Sequence, residues 1–189
     1  MRGCHLQSKT FPIAGPVLLT PAKFGDLRGF FSEVYKQRVF DSLIGNVHFV
    51  QDNQSLSVQP GTIRGLHFQI PPTAQGKLVR VVRGAIFDVA VDIRRGSLTY
   101  GRYVSAVLST ENWNQLWIPI GFAHGFCTIE PNTEVIYKVT DYYSKGDEKG
   151  VAWNDPDIAV AWPVKPGAAV LSDQDRVHPR LSEIQAYFD

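Results

Sequence analysis

The chain has 189 residues, 44% hydrophobic and 20% charged, with 19 Lys and Arg against 18 Asp and Glu. A net charge of +1 without a long single-sign run excludes the basic stripe of a nucleic-acid binder and the composition of a disordered chain. The length fits a single domain over residues 1–189, no apolar run reaches the ~20 residues that cross a bilayer, and the start lacks the apolar core of a signal peptide, so a soluble cytoplasmic protein without membrane partners is expected.

Taken in chain order, FGDLRGFFSE (24–33) sets Arg28 in a glycine-flanked turn ahead of two phenylalanines. Arginine suits forked phosphate recognition, although an exposed turn arginine is also ordinary. SEVYKQRVFDSLI (32–44) has apolar residues at helical spacing, with Gly45 placed to stop a helix. IRGLHFQ reads as a strand carrying Arg64 and His67; Pro71, Pro72 and Gly76 then turn the chain into KLVRVVRG, with Lys77, Val79 and Val81 on one face. AIFDVAVDI alternates most clearly: Phe87, Val89, Val91 and Ile93 point one way, Asp88, Ala90 and Asp92 the other. GRYVSAVLS, NQLWIPIG and TEVIYKVTDYY supply further strands, and Leu181–Phe188 a last short helix. Many short strands with few helices predict an all-β sandwich or barrel, a jelly roll whose mouth holds a small ligand.

Five histidines stand far apart, so nothing local announces a metal site. No GxGxxG and no GK[ST] occurs, which removes dinucleotide and P-loop chemistry. The two cysteines, Cys4 and Cys127, make no disulfide framework and read as free thiols. His67 is the odd residue, a histidine in a strand with Arg64 and Lys77 near it in sequence; the loop before Lys77 allows it to approach His67 from an adjacent strand. In LSDQD, Asp173 or Asp175 either caps a turn or accepts an imidazole Nδ1 proton and fixes the tautomer. Tyr137 is either a packing aromatic or an acid whose pKa a cation lowers. In GFAHGF, small residues around His124 permit close ligand approach, and a buried hydrogen-bonded histidine would look the same.

FGDLRGFFSE, FVQDNQS, IRGLHFQ, AQGKLVRV, FDVAVDIR, QLWIPIGFAHGF, YKVTDYYS, WNDPDI and LSDQD, in that order, together resemble the dTDP-4-dehydrorhamnose 3,5-epimerase family from about Phe24 to Leu181. The resemblance implies a cupin-type jelly roll with a few short peripheral helices, acting as a homodimer on a dTDP-4-keto-6-deoxy sugar without metal or organic cofactor. It implies that His67 is the general base, Tyr137 the general acid, Asp175 the partner of the histidine and Lys77 the cation beside the keto oxygen. Arg28, Glu33, Gln51, Asp52, Asn53, Arg64, His124 and Glu148 match substrate contacts, and Tyr143 the ring that stacks on thymine. Gln174 departs from the lysine often found before the final aspartate, which removes one charge contact to the nucleotide. A 4-keto sugar has acidic protons at C3 and C5, and removing either builds charge on the C4 oxygen, where a cation counts most. Three other readings are a single-site epimerase of a related sugar, a noncatalytic nucleotide-sugar binding module and a metal-dependent cupin oxygenase.

Overall fold

The computed structural model describes residues 6–189; Cys4 and His5 lie outside the described residues. The strands are β1 (Gln7–Thr10), β2 (Val17–Thr20), β3 (Phe24–Asp26), β4 (Gly29–Phe31), β5 (Gln51–Ser57), β6 (Ile63–Gln69), β7 (Lys77–Arg83), β8 (Ala85–Asp92), β9 (Tyr103–Ser109), β10 (Gln115–Ile118), β11 (Phe122–Thr128), β12 (Thr133–Val139) and β13 (Glu148–Gly150), with helices α1 (Gln37–Ile44) and α2 (Asp173–Arg176). One antiparallel sheet runs β1-β2-β10-β7-β12-β5, the other β13-β6-β11-β8-β9, and β3-β4 form a separate hairpin. This is the expected cupin-type jelly roll. Among the described residues no helix is long and apolar enough to cross a membrane.

Period-two alternation decides what each strand gives to each layer. Val79 and Val81, Ile86 and Ala90, Leu116 and Ile118, Phe122 and Phe126, and Val135 interlock between the sheets. The alternate residues of β8, Val89 and Val91, face outward, where Leu181 and Ile158 of the C-terminal segment cover them. Both faces of β8 are thus buried, so Asp88 and Asp92 are fully inaccessible. Asp92 is held below the usual carboxylate range, at about 2, because hydrogen bonds from Arg94, Ser97 and Thr99 outweigh its burial.

Helix α1 starts later than its apolar spacing predicts. Trp113 Nε1 donates to Ser32 Oγ at 3.0 Å and Gln115 Nε2 to the Val34 carbonyl at 2.8 Å, tying residues 32–34 to the sheet. Gly45 does end the helix, at φ 115°. α1 buries Phe40 against Leu19, Leu78 and Trp117 on the outer face of the six-stranded sheet. The helix expected at Leu181–Phe188 is only a single 3-10 turn, Leu181–Glu183. Phe68 packs against Tyr187 and Phe188, with ring centroids 6.0 and 6.1 Å apart, and Arg95 N donates to the Phe188 carbonyl. Those contacts lay the chain flat along the sheet.

Candidate active site

A cavity of about 140 Å³ opens where the two sheets face each other at the β6, β7 and β12 strands; His67, Lys77, Tyr137, Gln51, Asn53 and Glu148 line it, with Tyr143 at its rim. Lys77 and Tyr137 come from the six-stranded sheet and His67 from the five-stranded one. Lys77 therefore faces His67 across the sandwich, not from an adjacent strand. A larger cavity of about 510 Å³ lies on the opposite face of the six-stranded sheet, among Tyr35, Asp52, Gln54, Arg80 and Lys138. It holds no imidazole–carboxylate pair.

A bulge sets the backbone around His67. Between β6 and β11 the pairing steps from His67↔His124 to Arg64↔Phe126, one extra residue on β6. Gly65 occupies that step at φ +129°, and a Cβ there would meet Gly125 Cα at 2.5 Å. Only glycine fits both the backbone angle and the approach. The extra residue turns Arg64 to the same face as His67: Arg64 Nε donates to Ser57 Oγ at 3.1 Å, and its charge reaches the Tyr137 hydroxyl. The glycine of GFAHGF therefore admits another strand's backbone rather than a ligand.

Asp175 stands behind His67. Ser172 caps α2, accepting from Asp175 N at 3.1 Å and donating its hydroxyl to Oδ2 at 2.6 Å. Gly65 N donates to Oδ1 at 3.2 Å. LSDQD is thus both a capped turn and a carboxylate site, with Ser172 as the cap. The imidazole atom nearest this carboxylate is Nε2, 2.7 Å from Oδ1, rather than the expected Nδ1. The approach is close but does not have the alignment of a linear hydrogen bond. Burial pushes the Asp175 pKa up, but His67, Ser172 and Gly65 outweigh it and hold the group below the ordinary carboxylate value. His178 completes the corner, its ring edge-on to His67 with centroids 5.2 Å apart.

Burial lowers the Lys77 pKa to about 8, against the opposing pull of Asp88 and Glu148. Its Nζ lies 3.4 Å from the His67 carbonyl oxygen. Tyr137 goes the other way from expectation: burial raises its pKa, Arg64 only partly offsets this, and Glu148 adds to it. The phenol is therefore held protonated, the form that can donate. His124 is buried with Nε2 2.7 Å from Asp88 Oδ1, and burial lowers its pKa despite that carboxylate.

Other sequence-assigned residues divide by face. Gln51 and Asn53 point into the cavity and are joined by a 2.8 Å hydrogen bond. Asp52, between them, points outward to Lys138 at 3.0 Å, since alternate strand residues take opposite faces. Tyr143 donates to Glu148 Oε2 at 2.9 Å. Arg28 is 89% exposed on the β3–β4 turn and paired with Asp26, while Glu33 contacts Lys36; neither lines the His67 cavity, and nor does Gln174. Gln69 and Gln75 do, although nothing singled them out in the sequence. Gln69 accepts from Ser144 N and donates to the Thr73 and Tyr142 carbonyls, pinning the two loops of the rim. Its signal was its place two residues after His67, on the same face.

The family model described as dTDP-4-dehydrorhamnose 3,5-epimerase matches residues 10–183. A dTDP-4-dehydrorhamnose 3,5-epimerase of Sinorhizobium fredii is 53% identical over 100% of this chain and 97% of its own length. Among solved structures, the dTDP-6-deoxy-D-glucose-3,5-epimerase of Legionella pneumophila in complex with dTDP-4-keto-L-rhamnose superposes with a TM-score of 0.92 at 43% identity, covering 96% of each chain. The Bacillus anthracis dTDP-4-dehydrorhamnose 3,5-epimerase with TDP and PPi bound gives 0.90 at 48% identity, over 93% of this chain and 99% of that one. A cavity with an imidazole on one sheet, backed by a carboxylate from α2, and a cation and a phenol on the other sheet, together with these matches over nearly the whole chain, shows that this protein belongs to the dTDP-4-dehydrorhamnose 3,5-epimerase family.

Proposed function

We propose that this chain inverts C3 and C5 of dTDP-4-dehydro-6-deoxy-D-glucose, giving dTDP-4-dehydro-L-rhamnose through enolate intermediates. The observation that carries the reading is the opposition of His67 to Tyr137 across one cavity, because inversion needs a proton taken from one face and returned to the other. His67 removes the proton. Its Nε2 is fully buried while the side chain is 27% exposed, which leaves Nδ1 as the nitrogen that accepts. Asp175 orients the ring and stabilises it once protonated. Lys77 faces the developing C4 oxyanion, Tyr137 delivers the new proton, and Arg64 holds the diphosphate. Tyr143 stacks on the thymine ring, with Gln51, Asn53 and Glu148 fixing the sugar.

The test is mass spectrometry of product formed in heavy water, with a reductase present to trap the L-sugar. A deuteron at each of C3 and C5 in the trapped product supports the reading; deuterium at one carbon with no trapped L-sugar assigns a single-site epimerase instead. In Tyr137→Phe, exchange should persist while trapped product falls by about 10²–10⁴-fold; unchanged product formation would remove Tyr137 from the acid role.

The residues act within one catalytic domain that pairs as a homodimer. The β3–β4 hairpin supports pairing: Leu27, Phe30 and Phe31 are exposed around Arg28, a patch that suits a second copy. In that pairing Arg28 and Glu33 reach the substrate of the partner's site, and Asp52, His124 and Gln174 act at one remove. Light scattering should give twice the chain's 21.1 kDa, and Phe30→Asp should shift the mass toward one chain. A single-chain mass for the unaltered protein would reject the dimer.

A further inference from the structure

His67 and Asp175 have a third neighbour that proton transfer does not use. One donor atom from each of His67, Asp175 and His178 lies within 4.8 Å of the other two, the one such grouping among the described residues. His67 Nε2 is 2.7 Å and His178 Nε2 4.0 Å from the same oxygen, Asp175 Oδ1. Both Nε2 atoms are buried without a hydrogen-bond partner, an unusual state for a ring nitrogen. The His178 side chain is only 10% exposed and that of Asp175 5%. A separate cavity of about 350 Å³, lined by Gly150, His178 and Glu183, shares only Glu148 with the sugar pocket.

We propose that His67, Asp175 and His178 bind one divalent transition-metal ion of the zinc class, and that its binding switches off the base. Two imidazoles and a carboxylate select zinc, cobalt, nickel or copper over magnesium or calcium. A tetrahedral zinc with ligands at 2.0–2.2 Å spaces its donors about 3.4 Å apart; the 2.7 Å contact opens and the 4.0 Å contact closes by under an ångström to meet it. The ion takes the Nε2 electron pair of His67, so the ring proton moves to Nδ1, the nitrogen facing the sugar. That nitrogen then has no lone pair to receive a proton. The binding site stands independently of the catalytic reading; the inhibition rests on it.

The experiment titrates chelator-treated full-length protein with cobalt(II), followed by visible absorption and calorimetry, and repeats turnover with zinc(II). Expected are one ion per chain, a low-symmetry cobalt spectrum, no competition from magnesium, and zinc inhibition that lowers kcat with KM unchanged. His178→Ala, with His178→Phe to keep the ring volume that Gly150 packs against, should weaken cobalt binding at least tenfold, retain metal-free turnover and lose zinc sensitivity in proportion. Unchanged cobalt affinity in both variants would overturn the site. A zinc-loaded protein that turns over normally would keep the site and overturn the inhibition. If the protein exchanges no sugar protons at all, the cobalt spectrum still decides the site, and the fault lies with the catalytic reading.

Discussion

His67→Ala should lose proton exchange at both C3 and C5, with kcat/KM down about 10³-fold or more. A positioned general base contributes ~10²–10⁴-fold, and Glu148, the carboxylate that lines the cavity, is already engaged by the Tyr143 hydroxyl at 2.9 Å. Lys77 is the nearest alternative, but it is cationic below about 8, and Tyr137 is held protonated by burial. The variant should fold: Asp175 keeps its bonds to Ser172 and to Gly65 N, and the vacated ring bordered the cavity rather than the close-packed core. Heavy-water exchange read separately at the two carbons checks this. Exchange persisting at C3 would show that a different group opens that centre.

The second large effect has two signs. Lys77→Met should lower kcat by about 10²–10³-fold, the range for losing one preorganised oxyanion partner, yet raise stability near neutral pH. A lysine whose pKa falls from 10.5 to about 8 on folding binds fewer protons folded than unfolded between those values. Stability therefore rises with pH across that window and is lowest below it, where the ammonium is charged in both states. At ~1.4 kcal/mol per pH unit, discounted because part of the side chain faces the cavity, the burden at pH 7 is about 2 kcal/mol. The methionine variant should melt roughly 4–8 °C higher, and its stability should lack the unaltered protein's rise between pH 8 and 10.5. The unaltered protein's turnover should in turn decline as pH climbs through about 8 and Lys77 loses its charge. Calorimetric scans at neutral and alkaline pH, beside the pH–rate profile, check both. A methionine variant both less active and less stable would mean that Lys77 holds the fold together rather than serving the reaction.

Strand alternation carried most of the architecture, because a period of two is written locally wherever one face is buried. KLVRVVRG set Lys77 with Val79 and Val81 on one face, which is the inner one, whereas the apolar face of AIFDVAVDI turns outward beneath the C-terminal segment and its other face, with Ile86 and Ala90, turns inward. The errors arose where distant contacts override local pattern. Leu181–Phe188 has helical spacing, yet Phe68 and Arg95 hold its end extended. Asp52 shares a motif with Gln51 and Asn53, but the pleat turns it away. Which imidazole nitrogen meets Asp175 depends on where α2 docks against β6, a tertiary matter no spacing reveals. The same holds for His178, whose approach to His67 unites histidines that looked isolated. A glycine between Arg64 and His67 is a place where a strand can bend, but the bulge itself depends on the close approach of Gly125 from β11, which no local pattern shows.

With His67 and Tyr137 mounted on separate layers, the gap between them is gauged by the filling of the sandwich. Val79, Val135, Phe126 and Leu116, none of which lines the cavity, act as spacers between the jaws of a caliper. A methylene trimmed from one of them changes how far a proton must travel as well as how firmly the chain holds together. Exchanging these residues, with His67, Lys77 and Tyr137 retained, is then a means of altering which carbon lies within reach of both jaws.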